Sequence, residues 1–212
     1  MNLYEILSFD REMVGEICGI FSGSGSIYST GCNLFLEVRV NKNEEHYFEN
    51  YIKPIFERIT QTKTKSIKRF YTGGYLIGLR TSNKKAIKLF HVLLEFPQGR
   101  KSEKLRIPKI ILNNMDYWKA YVRGVFDTCG SIYLRKTNKL YKNPIIEIRS
   151  PSLLHLIQLQ EILRDLGFNF WLERSNKKLR MAGWKNIERF FKEINPHNIA
   201  KIEKYTKIKK LH

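Results

Sequence analysis

Apolar and polar residues alternate most regularly where Leu34, Leu36, Val38 and Val40 are interleaved with Phe35, Glu37 and Arg39. A period of two gives a strand one apolar face and one largely polar face. The alternation returns at Ile146 and Ile148, interleaved with Glu147 and Arg149. Elsewhere the period changes. Leu156, Leu159, Leu163 and Leu166 recur at spacings of three and four, an apolar helical stripe. Ser150-Pro151 reads as the N-cap and first-turn proline of that helix, and Gly167 as its stop. Its upstream counterpart is a helix over 44–59. Helices are also predicted over 13–21 and 117–126, each closing in a glycine-containing turn. A second strand pair spans 66–71 and 75–81, turning at Gly73-Gly74, and is matched by 168–174 with 179–183, turning at Ser175-Asn176. Closing helices carry Ile87, Phe90 and Leu94 in one case and Ile187, Phe190 and Phe191 in the other. Ile199, Ile202 and Tyr205 space a final amphipathic helix in the lysine-rich stretch 201–210, whose lysines read either as a nucleic-acid tail or as a solvated helix face.

The elements fall into two sets of the same order, αββαββα, and the residues repeat with them. Gly19-Ile20-Phe21-Ser22-Gly23-Ser24-Gly25-Ser26-Ile27-Tyr28 is echoed by Gly124-Val125-Phe126-Asp127-Thr128-Cys129-Gly130-Ser131-Ile132-Tyr133, with a constant offset of 105. Glu37-Val38-Arg39 is echoed by Glu147-Ile148-Arg149 at an offset of 110, and Lys101-Ser102-Glu103-Lys104 by Lys201-Ile202-Glu203-Lys204 at an offset of 100. Drifting offsets signify insertions and deletions in loops between matched elements. The chain therefore divides into repeats 1–110 and 111–212, with a linker near Pro108 to Asp116. Each repeat is predicted to be a four-stranded antiparallel sheet with helices on one face, an α+β class.

Charge adds to this picture. The 38 Lys+Arg stand against 20 Asp+Glu, a net charge of +18. Such an excess meets a polyanion, and nucleic acid is the commonest. With 42% hydrophobic residues there is enough apolar side chain for a core, which excludes a disordered basic tail. No run of 18 apolar residues is present, so no membrane partner is expected. The opening MNLYEILSFDREMVGE resembles neither a secretory signal nor a mitochondrial presequence. Cys18, Cys32 and Cys129 form no CxxC and the histidines have no zinc spacing, which argues against a disulfide scaffold and a zinc site, and for a reducing compartment. The glycine-serine stretch around Ser22–Ser26 lacks the lysine of a phosphate-binding P-loop. Cys129 reads as a packed thiol, not a nucleophile partnered by His197, and the histidines as ordinary surface or boundary residues.

The two motifs, each closing a helix and opening a strand, resemble those of the LAGLIDADG homing endonucleases. Element order and tandem duplication resemble the single-chain branch of that family, over about Gly15 to Lys210. The resemblance implies a monomer by internal duplication, a pseudo-twofold saddle. Its motif helices pack side by side, with Gly19, Phe21, Gly124 and Phe126 at the repeat interface. It places the exposed sheet faces against nucleic acid, as a two-stranded ribbon fits the DNA major groove. The basic residues assigned to that surface are Arg39, Lys42, Lys65, Lys68, Arg69, Arg80, Arg135, Lys136, Lys139, Lys142, Arg149, Arg174, Lys177, Lys178 and Arg180. Trp171 is expected to be exposed, as a stacking platform for an unpaired base or as a sheet-edge contact.

The resemblance also implies that the last acid of each motif holds catalytic divalent metal; here those positions are Ser24 and Cys129. A neutral hydroxyl and a soft thiol are poor ligands for magnesium. Lys101 and Lys201 match basic residues near the scissile phosphates, and read either as phosphate-binding charges or as surface lysines. The expectation is a protein that has lost cleavage and kept nucleic-acid binding, with no metal cofactor. Its partner is expected to be RNA in preference to double-stranded DNA, as an intron maturase or a structural component of an intracellular ribonucleoprotein such as an organellar ribosome. The alternatives are an endonuclease with full or residual magnesium-dependent activity, with Asp127 or Asp116 as replacement carboxylate, a non-cutting DNA-binding relic, and a purely structural partner protein.

Overall fold

The structure is a computed structural model that describes residues 10–137, 141–175 and 177–210. Helix α1 (Arg11–Ser24) begins at Asp10, whose carboxylate accepts the Glu12 N–H, and runs directly into β1 (Gly25–Thr30) and β2 (Asn33–Asn41). A helical run over 42–60, α2, opens as a 3-10 turn, Lys42–Glu44, widens into a π turn at Phe48–Ile52 and ends as the α-helix Lys53–Thr60. Strands β3 (Ser66–Tyr71) and β4 (Gly74–Thr81) follow, then α3 over 84–93. The stretch read as a linker is itself helical: α4 (Lys109–Leu112), with Ile111 buried, and a 3-10 turn, Met115–Tyr117.

The second set comprises α5 (Trp118–Cys129), β5 (Gly130–Thr137), β6 (Tyr141–Arg149), α6 (Leu153–Asp165), β7 (Trp171–Glu173), β8 (Lys178–Ala182) and α7 (Trp184–Ile194), and α8 (Ile199–Lys209) comes last. The sheets have strand orders β1-β2-β4-β3 and β5-β6-β8-β7, antiparallel throughout. This is the expected α+β fold of two repeated sets. One continuous core joins them: Val38 and Leu79 from the first sheet and Ile148 and Leu179 from the second lie under helices carrying Phe56, Phe90, Leu159 and Phe190. Among the described residues no helix is long and apolar enough to cross a membrane.

The central feature is the pairing of α1 and α5. They run parallel, and their backbones touch where Gly19 meets Gly124. A Cβ on Gly19 would stand 2.2 Å from the Tyr121 carbonyl oxygen, and one on Gly124 2.3 Å from that of Glu16. Only hydrogen fits at this distance. The neighbouring phenylalanines do not share the interface as expected. Phe21 turns into its own repeat, against Phe90 at 4.4 Å and Phe96 at 4.7 Å, and Phe126 turns into the other, against Phe190 at 5.1 Å. Where glycine backbones touch there is no room for a ring, so the aromatics point outward from the helix pair.

Two boundaries and one helix face differ from the periodicity reading. The N-cap of α6 is Ser152, whose Oγ accepts the His155 N–H, while Ser150 accepts the N–H of Ser152 and Pro151 stays outside the helix. Strand β7 is shorter than 168–174, because the Phe170 N–H turns back to the Phe168 carbonyl and its own carbonyl takes the Gln160 amide. In α8 the expected apolar face is only partly used: Tyr205 stacks on Phe191 at 4.0 Å and Ile208 is buried, but Ile199 and Ile202 are exposed.

Candidate functional site

Because α1 and α5 are parallel, their C-terminal ends meet, and Ser24 and Cys129 sit there. The Cys129 Sγ donates to the Val125 carbonyl at 3.1 Å, and burial pushes the thiol up to about 11 despite the nearby Lys201 and Lys101 charges. Lys101 reaches the same place from a loop. Its Nζ donates to the carbonyls of Phe21 at 2.7 Å and Ser22 at 2.9 Å, and burial lowers its pKa to about 7. Lys201 donates to the Gly130 carbonyl and lies 3.6 Å from Glu44. Cations favour the negative end of a helix dipole and satisfy its last carbonyls. Both lysines are thus partly buried caps of the motif helices, a role the sequence did not suggest.

Neither candidate replacement acid joins Ser24 and Cys129 as a carboxylate, although Asp127 lies in the last turn of α5. Asp116 pairs with Arg11 at the opposite end of the helix pair. Asp127 is buried and accepts the His197 N–H at 2.7 Å, while its own carbonyl takes the Asn198 side chain at 2.8 Å, which ties the start of α8 to α5. Burial raises the Asp127 carboxyl to about 7, with the His197 N–H opposing and the Glu16 charge adding to the shift. Among the described residues no group of three or more His, Cys, Asp or Glu is arranged to hold a metal ion. The residues present at the helix ends do not fit magnesium, which requires hard oxygen ligands.

The two flanks of the helix pair differ. On one, Ser22 shares a hydrogen bond of 2.8 Å with the Tyr121 hydroxyl, Tyr121 meets His155 Nε2 at 2.8 Å, and His155 Nδ1 meets Ser150 Oγ at 3.0 Å. On the other, Glu16 takes the Tyr51 hydroxyl at 2.9 Å, Arg123 at 3.2 Å and His197 Nδ1 at 3.0 Å. His155 is therefore buried and not the surface or boundary residue expected, whereas His197 is a boundary residue, as expected, that also bonds the buried Glu16. Burial, reinforced by the Lys101 charge, holds His155 down to about 3 and keeps it neutral.

The faces of the sheets away from the helices carry the predicted arginines, and each is centred on an acid. Strand register sets Glu37 opposite Arg80 and Glu147 opposite Arg180. Glu147 is buried and receives Arg149 Nε at 2.6 Å, Arg180 Nε at 2.8 Å and the Tyr133 hydroxyl at 3.1 Å. Burial would raise its pKa, but the Arg180, Arg149 and Tyr133 hydrogen bonds outweigh it and bring the carboxyl to about 2. The first repeat is looser. Arg39 Nε stands 3.3 Å from Glu37, and Arg80 lies over the Phe35 ring at 3.7 Å. Tyr28 and Tyr133 occupy equivalent positions beside the two acids. The motif echo showed the Glu-x-Arg pattern, yet it did not show that the acid organises the arginines.

The remaining predicted residues divide. Arg69 and Arg135 lie on the open faces by register, and Lys42, Lys65 and Arg174 are exposed. Trp171 is exposed on the open face opposite Arg180, as expected. Lys68 faces the other way. It sits opposite Ile77 on the helix side and pairs with Glu45 at 2.7 Å, because side chains alternate along β3. Lys178 is buried between Glu147 at 3.7 Å and Glu173 at 3.8 Å, so its charge is internal. Lys177 is exposed and donates to the Pro151 carbonyl at 3.2 Å. Lys139 lies outside the described residues, as do the side chains of Lys136 and Lys142.

Comparison with known proteins agrees with this architecture. I-DmoI, solved in complex with DNA and Mn, superposes with a TM-score of 0.58 at 18% identity, covering 87% of this chain and 96% of that one. The I-LtrWI LAGLIDADG homing endonuclease bound to target DNA gives 0.61 at 15% identity, over 95% and 90%. At these identities the likeness concerns the fold. A curated relative, the probable translation initiation factor IF-2 of Thermococcus kodakarensis, is 29% identical over 125 residues, which are 58% of this chain and 10% of that protein. The matched stretch thus spans about a tenth of that relative's length. The model of the WhiA LAGLIDADG-like domain matches residues 15–81 and 118–211, which hold both motif helices and both sheets. The chain belongs to the WhiA LAGLIDADG-like domain family, on the two-repeat LAGLIDADG fold.

Proposed function

We propose that this chain is a nucleic-acid-binding protein that does not cleave, and that its target is RNA in preference to double-stranded DNA. The observation that carries the reading is the contrast between two regions. The open sheet faces keep their arginines, while the helix ends present a hydroxyl, a thiol and two lysines. Cleavage through divalent metal needs carboxylates that draw cations onto the scissile phosphates. The capping lysines add positive charge at the same place and oppose metal binding. The structural relatives carry DNA, so gripping a polynucleotide on such a saddle has precedent in those proteins. The preference for RNA rests on a biological argument. A homing protein that cannot cut has no means of spreading, so its retention fits adoption by a host or an intron, within a ribonucleoprotein.

Native protein purified at low salt, with the copurified polymer tested separately against RNase and DNase and then sequenced, tests this reading. One defined RNA is the expected result. A discrete DNA site would remove the RNA preference and leave a non-cutting DNA binder. A nicking assay with magnesium on plasmid and single-stranded substrates is expected to show no product, and cleavage there would overturn the non-cleaving part.

A further inference from the structure

A cleft of about 370 Å³ opens where the two repeats meet, beside the C-terminal end of α5. Lys42 and Tyr71 reach it from the first repeat, Ser131 from β5, and Lys201 and Lys204 from α8. The volume lies within the range of small-ligand sites. Three lysines and one acid, Glu44, are among the residues that line it. That acid is already engaged by the Asn198 side chain at 2.8 Å, the Asn41 N–H at 3.3 Å and Lys201 at 3.6 Å. The walls therefore favour an anion. Tyr71 adds a flat apolar surface. It is half exposed and stands opposite Gly74 in the strand register. A Cβ at Gly74 would lie 3.3 Å from Lys42 Cδ and 3.4 Å from the Tyr71 hydroxyl, so the bare strand lets both side chains lie together over it. Lys42 Nζ donates to the Gly73 carbonyl at 3.5 Å. Asn41 and Asn43 supply amides able both to donate to and accept from a ligand edge.

We infer that this cleft takes a single unpaired nucleotide of the bound strand, with its base against Tyr71 and its phosphate among Lys42, Lys201 and Lys204. The inference rests on the nucleic-acid-binding reading and adds to it a local preference for bulged or looped strands. An aromatic ring stacks on any base, and extrusion is least costly for a base that has no partner.

The test uses a duplex carrying one bulged 2-aminopurine and the same duplex fully paired, each made as RNA and as DNA. The native chain is expected to bind the bulged form about ten-fold tighter and to change its 2-aminopurine emission by stacking. Tyr71→Ala is expected to abolish both differences while leaving the paired duplex within about two-fold, and Tyr71→Phe to retain them. Lys204→Ala is expected to weaken the bulged probe and flatten its salt dependence. Equal binding of bulged and paired forms, or an equal loss for both in Tyr71→Ala, overturns the cleft assignment and leaves nucleic-acid binding standing. No salt-dependent binding to any of the probes overturns both.

Discussion

Glu147 shows how a single residue sets the character of a surface. It lies in the open face of the second sheet, yet it is buried beneath the arginines it holds. The pair Arg149 and Arg180 is thereby fixed in place, and part of its charge is answered internally. Glu147→Gln is expected to lower stability by about 1–3 kcal/mol, since charged hydrogen bonds are lost in a buried setting. The same change should strengthen binding to generic polyanions and steepen its salt dependence. Denaturant unfolding and salt titration read the two effects separately. In the parent the carboxyl sits at about 2, below its usual value of 4.5, so its contribution is present above pH 4.5 and lost as pH falls towards 2. Arg39 and Arg180 were legible from strand alternation alone. The central acid was not, because alternation assigns a face and says nothing of what a side chain meets across the ladder.

Among elements, the paired motif helices carry the most consequence. Gly19→Ala would drive a methyl group against the Tyr121 carbonyl, which is backbone and cannot turn aside. A loss of about 3 kcal/mol or more is expected in chemical denaturation, at the upper end for overpacking. The link between α5 and α8 is expected to weaken as pH rises. The buried Asp127 carboxyl is raised from 3.8 to about 7. A raised folded value stabilises the protein fully below the unfolded value and less as pH rises through the folded one. Asp127 therefore contributes stability below pH 3.8 that is lost towards pH 7. Asp127→Asn retains an acceptor for the His197 N–H and never ionises. The fall in its melting temperature between pH 4 and 7 is expected to be smaller than in the parent.

For the whole molecule, the net charge of +18 and two arginine faces imply binding dominated by phosphate contacts. With six to ten such contacts, affinity is expected to fall by about 10³–10⁵-fold between 50 and 200 mM salt. A flat salt response would favour a structural role without nucleic acid. The double variant Ser24→Asp with Cys129→Asp places two carboxylates where the parallel helices end. Calorimetry with magnesium or manganese is expected to show heat of binding only for that variant. The flanking lysines keep such binding weak, and adding Lys101→Met should strengthen it.

Much of this protein was determined by the sequence by itself. The alternation at 34–40 and 146–149 and the ten-residue motif at an offset of 105 were enough to specify two αββαββα sets, and the resemblance of the motifs to the LAGLIDADG family implied the helix pair that joins them. Periodicity and glycine spacing are local properties, and they survive translation into structure because they depend on one element or one close contact. Tertiary structure alone decided which way Phe21 and Phe126 turn, that Lys101 and Lys201 cap helix ends, that Lys68 pairs with Glu45 and Lys178 with the buried Glu147, and that His155 is buried and neutral. Each of these depends on a partner distant in sequence, brought into contact only when the sheets, helices and loops close on one another.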